Sequence, residues 1–298
     1  MIVKSVDVDL YIATRVVEKP DLDIIDSYLK AGANANGPRG CSNSPLCHAS
    51  CHGHEGLVRL LLEHGAKVDT VDASNGRTAL MEASRNNHIG ILDLLLEYGA
   101  SIDQYTGTQG RTALIWACIE GHILAVSLLL QYGAQKQKEA LWWASRYGHV
   151  AVVELLLHQL EKDDDMPSGD DEDAIDTKWH PLLVASALGH EEVVKVLLKQ
   201  KIWETNTAML AASQRGHEGV VKIILLEKNQ ETETITTAVQ LASKSGHVKV
   251  VHALMQVNNA SEIVSAINDG CETAMSMAIE HGHLGVQRCL RQIQLLQK

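Results

Sequence analysis

The residues with the clearest potential for chemistry lie in segment 41–54, which reads CSNSPLCHASCHGH. On a helix, His48 and His52 are four residues apart and share a face, as do Cys47 and Cys51. Imidazole nitrogens and thiolates at this spacing could ligate a soft divalent metal such as zinc. No CxxC pair occurs elsewhere in the chain, so a purely structural use of these residues is favoured and metal binding is the alternative.

The chain contains 15 histidines, and eight of them occupy one recurring slot that reads Gly-His in most copies. These are His54, His88, His122, His149, His190, His217, His247 and His283. A residue that recurs once per structural unit is expected to be structural rather than catalytic. The sequence also lacks GxxxxGK[ST], GxSxG, HExxH and GxGxxG motifs. We therefore expect no enzymatic activity, no catalytic residue, no metal and no cofactor.

Acidic residues are concentrated in segment 161–178, which holds nine carboxylates and two lysines and so carries −7 of the net charge of −11. A calcium loop with Gly169 as its turn glycine would place Met166 and Ile175 at ligand positions, so the match fails. A solvated insert is the expectation. The overall acidity argues against binding to the nucleic-acid backbone, which requires an excess of Lys and Arg.

The histidine slot belongs to a longer repeat. Residues 44–65 read SPLCHASCHGHEGLVRLLLEHG, 78–99 read TALMEASRNNHIGILDLLLEYG, and 112–133 read TALIWACIEGHILAVSLLLQYG. The same core starts again near residues 139, 180, 207, 237 and 273, and a looser copy covers 10–36. Each copy predicts a short helix with an Ala and a small residue on one face, a stop at the glycine, and a second helix rich in Val and Leu.

These segments resemble the ankyrin repeat, whose signature is TPLHxAA, then GH, then a Val/Leu-rich helix ending in GA. The resemblance implies an all-α solenoid of about nine helix-turn-helix repeats, some with short β-hairpin fingers, forming a single array over 1–298. Copies that start only 27 residues after the preceding one, near 139 and 207, are expected to lack a finger. The expected repeats are 8–37, 40–71, 74–105, 108–135, 136–160, 179–202, 203–230, 233–258 and 269–298, with the acidic insert at 161–178.

The resemblance also implies where a partner would bind. In ankyrin proteins the first helices and the fingers form a concave surface, and the slot before the Ala pair and the two slots before Gly-His share its outward side. Glu82, Trp116 and Trp143 occupy the first of these slots in successive repeats. The predicted partner-binding residues are Arg85, Trp116, Ile119, Trp143, Arg146, Tyr147, Leu188 and Arg215.

Two interpretations of the tryptophans stay open. Trp116 and Trp143 could anchor a partner, or they could pack on the neighbouring helix and fill the space of a missing finger. For Trp142 packing is favoured. The arginines, together with Lys244, would form a basic stripe suited to an acidic or amphipathic peptide segment.

The function expected from the resemblance is that of a protein-interaction scaffold or adaptor that acts as a monomer. The alternatives are the regulatory ankyrin portion of a larger signalling or channel protein and, more remotely, a metal-binding protein that uses segment 41–54. The N-terminus lacks the apolar run of a signal peptide, and the apolar run near 123–130 is too short to insert into a bilayer. Six scattered cysteines favour a reducing compartment, so a cytoplasmic location is expected, with the nucleus as the alternative.

Overall fold

The computed structural model describes residues 10, 13–14, 19–38, 44–105, 110–163, 180–227, 231–256 and 272–296. Cys41, Cys271 and most of the acidic insert lie outside these ranges. The chain forms two compact units, Met1–Trp143 and Ala144–Lys298. From Pro45 onward, the short helices of the described ranges follow one another in pairs joined by two or three residues. No helix in the described part of the chain is both long enough and apolar enough to cross a membrane.

The first unit contains seven complete helices and the start of an eighth within its described ranges. They are α1 (Leu22–Lys30), α2 (Pro45–Cys51), α3 (Glu55–Glu63), α4 (Ala79–Arg85), α5 (Ile89–Glu97), α6 (Ala113–Glu120), α7 (Ile123–Gln131) and α8 (Gln137–Tyr147). The hydroxyls of Ser44, Thr78 and Thr112 cap α2, α4 and α6 by accepting a hydrogen bond from a backbone N–H three residues later. The Ser or Thr that opens these copies therefore sets where their first helix begins.

The first unit is built in two layers of helices. The first helices of successive pairs, α2, α4 and α6, pack side by side, and so do the second helices α1, α3, α5 and α7. Ala49, Ala83 and Ala117 are fully buried in the first layer, where their small side chains permit close approach. Leucines such as Leu61, Leu95 and Leu129 fill the core between the layers.

The finger between α3 and α4 is a tight turn closed by one antiparallel bridge, Asp72 to Arg77. The Asp72 carboxylate is buried and accepts hydrogen bonds from the backbone N–H groups of Ser44 (3.3 Å) and Ser74 (2.9 Å). Within the described ranges no longer strand occurs. The hairpin fingers expected from the resemblance are thus present here in minimal form.

The second unit begins at the end of α8 and continues the same helical pairs. Its helices are α9 (Val150–Lys162), α10 (Pro181–Leu188), α11 (Glu191–Leu198), α12 (Thr205–Arg215), α13 (Glu218–Leu225), α14 (Thr232–Ser245), α15 (Val248–Met255), α16 (272–280) and α17 (Leu284–Leu296). The first helices α10, α12 and α14 pack together, and the second helices form a parallel row from α9 to α17.

The recurring histidines join consecutive repeats. In the second unit the Nε2–H groups of four of them donate to a backbone carbonyl of the preceding repeat at 2.9–3.0 Å: His190 to Arg146, His217 to Ala187, His247 to Gln214 and His283 to Lys244. In the first unit His88 and His122 donate in the same way to Cys51 (3.1 Å) and Arg85 (2.9 Å). The structural interpretation of these histidines follows directly from these bonds.

Candidate protein-binding surface

Three arginines surround one of the predicted tryptophans in the first unit. The guanidinium carbons of Arg77, Arg111 and Arg85 lie 4.3, 4.9 and 5.8 Å from the ring centroid of Trp116. The Arg111 guanidinium also lies 4.5 Å from the ring centroid of Trp143. Distances below about 6 Å are those of cation–π contacts. We name these five residues the arginine–tryptophan cluster.

The repeat itself positions the cluster. Arg77 and Arg111 each stand directly before the threonine that caps α4 or α6, so they are equivalent residues 34 positions apart. Trp116 lies in α6 and Trp143 in α8 at the equivalent slot of their repeats. Each arginine therefore reaches the tryptophan of the following repeat, and both tryptophans are half-buried.

Glu82 occupies in α4 the slot that Trp116 and Trp143 occupy in later repeats, and the expectation that this slot faces outward is wrong for Glu82. Its side chain is only 2% exposed. Its Oε1 accepts hydrogen bonds from Asn75 Nδ2 at 2.7 Å and from Arg77 Nη1 at 3.2 Å. The buried carboxylate is stabilised by this pairing, and it holds the Arg77 guanidinium against Trp116.

The three arginines differ in charge compensation. Arg77 is paired with Glu82, and Arg85 Nε lies 3.2 Å from Glu120 Oε1 in a half-exposed pair. Among the described residues Arg111 forms no ion pair, and its Nε is buried without a hydrogen-bond acceptor. Arg111 is thus the uncompensated cation of the cluster.

Ile119, the remaining predicted residue of the first unit, is placed differently from its equivalents. Its side chain is 8% exposed, so it belongs mainly to the core and offers little area to a partner. Trp142 is half-buried and meets the edge of Trp143 in a T-shaped contact with ring centroids 4.8 Å apart. Trp142 therefore helps to orient the indole of Trp143.

The other four predicted residues lie in the second unit and are exposed. Tyr147 is 47% and Leu188 36% exposed, and Arg146 and Arg215 are also on the surface. The Tyr147 ring stacks on His149 with centroids 6.4 Å apart. The predicted patch of Trp116, Trp143, Arg146 and Tyr147 therefore comprises residues of both units.

In the described part of segment 41–54, one thiol and one imidazole that could bind a metal are engaged with the backbone. Cys47 is buried, and its thiol donates to the backbone carbonyls of Thr70 and Arg77 at 3.4 and 3.7 Å. Burial, reinforced by nearby carboxylates, raises the pKa of Cys47 to about 12, which opposes the thiolate that a metal requires. His52 Nδ1 donates to the His48 carbonyl at 2.8 Å. Over the described residues no three His, Cys, Asp or Glu side chains converge in a way that could hold a metal ion.

Comparison with known proteins supports the repeat architecture. The family model described as "Ankyrin repeats (3 copies)" matches residues 10–106, 102–170, 165–236 and 208–294. The human ASB11 ankyrin repeat domain superimposes with a TM-score of 0.58 at 25% sequence identity, covering 73% of this chain and 99% of that one.

Two curated proteins match over shorter stretches. A rice protein named "Probable E3 ubiquitin-protein ligase XBOS33" is 41% identical over 62 residues, 21% of this chain and 12% of that protein. The yeast "Ankyrin repeat-containing protein YIL001W" is 45% identical over 49 residues, 16% of this chain and 10% of that protein. The matched stretches thus span about a tenth of the length of these relatives. Ankyrin repeats are generally protein-interaction modules, and this chain belongs to the ankyrin-repeat family.

Proposed function

We propose that this chain is a protein-interaction scaffold or adaptor whose first unit binds a partner protein through the arginine–tryptophan cluster. The observation that carries the proposal is the contact of the uncompensated Arg111 with two half-exposed indole rings. Tryptophan and arginine are the residue types most enriched among interface residues that dominate binding energy. In the ankyrin family this first-helix side corresponds to the concave surface.

The alternative, that the tryptophans only fill space, accounts less well for their surroundings. A ring that serves packing alone is expected among aliphatic side chains and away from solvent. Trp116 instead contacts three cations, and both Trp116 and Trp143 keep part of their surface accessible. Because the arginines and the neighbouring Trp142 already orient these rings, little side-chain freedom remains to be lost on binding.

The remaining assignments are proposals of the same kind. Exposed Arg146, Tyr147, Leu188 and Arg215 would supply further contacts from the second unit, and the chain would act as a non-enzymatic monomer in the cytoplasm or nucleus. A protein partner fits better than nucleic acid because the net charge is −11. The single array over 1–298, with its acidic insert at 161–178 and its repeat boundaries, stays a prediction.

The test is capture of partners by the intact chain and by a Trp116→Ala/Trp143→Ala variant, with identification by mass spectrometry. The matched control is Leu124→Ala, which removes a 62% exposed apolar side chain from the second helix of a pair. We expect the partners to be lost from the double tryptophan variant and retained by the control. Circular dichroism establishes that both variants are folded. Equal recovery on the folded tryptophan variant would refute the binding role.

A second candidate is that this chain is the regulatory ankyrin portion of a larger signalling or channel protein. The observation that favours it is that a matched relative, named as a ubiquitin ligase, is much longer than the stretch shared with this chain. Measuring the mass of the native protein with an antibody against the repeats separates the two candidates. A native protein of 32.5 kDa would exclude the second.

A further inference from the structure

The structure points to Arg111 as the receptor for a side-chain carboxylate, Asp or Glu, in an acidic segment of the partner protein. This inference deepens the proposed function and rests on it. Trp116 and Trp143 form the apolar wall beside the carboxylate, so an apolar residue next to the acid completes the recognised feature.

An arginine equivalent to Arg111 already binds a carboxylate within this chain. Arg77 occupies the same position one repeat earlier, and it contacts both Glu82 Oε1 (3.2 Å) and the Trp116 ring (4.3 Å to the centroid). Arg77 therefore binds an indole ring and a carboxylate at the same time. Glu82 lies five residues after Arg77.

The next repeat lacks the carboxylate that matches Glu82. Five residues after Arg111 the chain has Trp116 instead of an acid. Arg111 keeps the contact with the following indole, Trp143 at 4.5 Å, but in the described part of the chain no carboxylate forms an ion pair with it. The substitution of Glu by Trp at this slot leaves one cation without its anion.

The hydrogen-bonding groups of the Arg111 guanidinium indicate where a carboxylate would bind. The Arg111 Nε is buried and lacks an acceptor among the described residues. Nε of Arg77 is buried without an acceptor in the same way, although Nη1 of Arg77 binds Glu82 at 3.2 Å. A partner carboxylate is therefore expected at the terminal nitrogens of Arg111, where it would compensate the charge. A carboxylate suits the planar guanidinium better than a neutral amide does.

The experiment uses the full chain and short synthetic peptides of Glu and Leu with acetylated and amidated ends. The control peptide has Gln at every Glu position. Binding is followed by NMR through the indole N–H signals of Trp116 and Trp143, assigned with single Trp→Phe variants. We expect the Glu peptide to shift both signals in a saturable way and the Gln peptide to bind about ten-fold more weakly, because a charge-assisted bond is replaced by a neutral one.

The deciding variant is Arg111→Gln, and the matched control is Arg59→Gln, which removes an exposed arginine of α3 outside the cluster that has Glu55 as its partner. Arg111→Gln should abolish the preference for Glu over Gln, whereas Arg59→Gln should preserve it. Circular dichroism and the unperturbed indole spectrum establish that each variant is folded.

Several outcomes would overturn the inference. They are equal binding of the Glu and Gln peptides, no indole shift with either, a Glu preference that survives Arg111→Gln, or one that disappears with Arg59→Gln instead. Tighter binding of a phosphoserine peptide, or of a Gln peptide with a free C-terminus, would assign the site to another anion. If the double tryptophan variant loses its partners and Arg111→Gln retains them, this inference is refuted and the proposed function is not.

Discussion

Replacing Gly246 by alanine tests the histidine contact that joins consecutive repeats. Gly246 ends α14 with φ +80°, and an added methyl carbon would lie 2.8 Å from Nδ1 of His283. Gly282 occupies the same slot one repeat later with φ +73°, and there an added methyl carbon meets nothing within 4 Å. The two substitutions therefore share the backbone cost and differ in the histidine contact.

The expected losses in the free energy of unfolding follow from the backbone cost and from the histidine contact. Holding alanine in the left-handed region costs about 1 kcal/mol at either position. At Gly246 the His283 ring must also shift, which weakens its bond to the Lys244 carbonyl (2.9 Å), a bond worth about 1 kcal/mol. We expect the free energy of unfolding to fall by about 1 kcal/mol for Gly282→Ala and by about 2 kcal/mol for Gly246→Ala.

The structure also limits the free energy lost through displacement of the His283 ring. Asn87 occupies the same slot in another repeat at φ +59°, and His122 still donates to the Arg85 carbonyl at 2.9 Å. A β-carbon at this slot is therefore compatible with the histidine bond after a small displacement of the ring. The added cost at Gly246 should stay near the value of one hydrogen bond rather than that of a full steric clash.

The assay combines urea unfolding, followed by circular dichroism, with hydrogen exchange of α17, because terminal repeats of an array can open before the rest. A double-mutant cycle with His283→Ala isolates the contact, and we expect a coupling of about 1 kcal/mol between Gly246→Ala and His283→Ala. Equal destabilisation by Gly246→Ala and Gly282→Ala, or additive effects in the cycle, would refute the reasoning.

Three further predictions follow from single side chains. Asn87→Gly should raise the free energy of unfolding by about 0.5 kcal/mol, because glycine adopts φ +59° without strain; an unchanged urea midpoint would contradict this. Burial, only partly opposed by Glu204, lowers the pKa of His180 below 6.5. The unfolded chain therefore binds more protons than the folded chain, and the free energy of unfolding should fall as pH drops through 6.5 towards the folded-state pKa. His180→Gln should reduce this pH dependence, and an unaltered pH profile of stability would contradict the prediction. Burial raises the pKa of Cys47 to about 12 and also that of Cys118, so both thiols should resist alkylation at mildly alkaline pH until urea is added, and mass spectrometry of the native protein would reveal any early labelling.

The fold was predictable because the residues that build it recur at fixed offsets. Capping Ser or Thr, the fully buried Ala of the first helix and the left-handed glycine each satisfy a local requirement that can be recognised in a single copy. Repetition then identifies the unit without any knowledge of long-range contacts. The expected family and fold class are both confirmed by the family match and the structural similarity.

The candidate site was only partly predictable. Counting repeat positions identified Trp116 and Trp143, but it also predicted that Glu82, at the same position, faces outward. Burial at this position depends on the side chain that the preceding loop places next to it, which in the case of Glu82 is Arg77. Ile119 shows the same limit, since the equivalent arginines are long enough to reach solvent and an isoleucine is not.

Arg77 and Arg111 were missed because only helical positions were counted. A usable signal was nevertheless present in the sequence. The tetrapeptide RTAL occurs twice, 34 residues apart, so each arginine stands at the same distance from the slot that holds Glu82 in one repeat and Trp116 in the next. Comparing what fills equivalent positions would have revealed that the second arginine lacks the acid present in the first.

The repeat separates the residues that hold the array together from those available to a partner. Stacking uses the buried alanines, the leucines of the second helices and the Gly-His slots, whereas the arginine–tryptophan cluster uses the residue before the cap and one face of the first helix. A substitution such as Arg111→Gln removes no bond between described residues other than its ring contacts, so it should change binding with little effect on stability. Gly246→Ala should do the reverse. Because the two sets of slots are distinct, we expect that exchanging a single side chain in one repeat can change partner binding while the stacking contacts are kept.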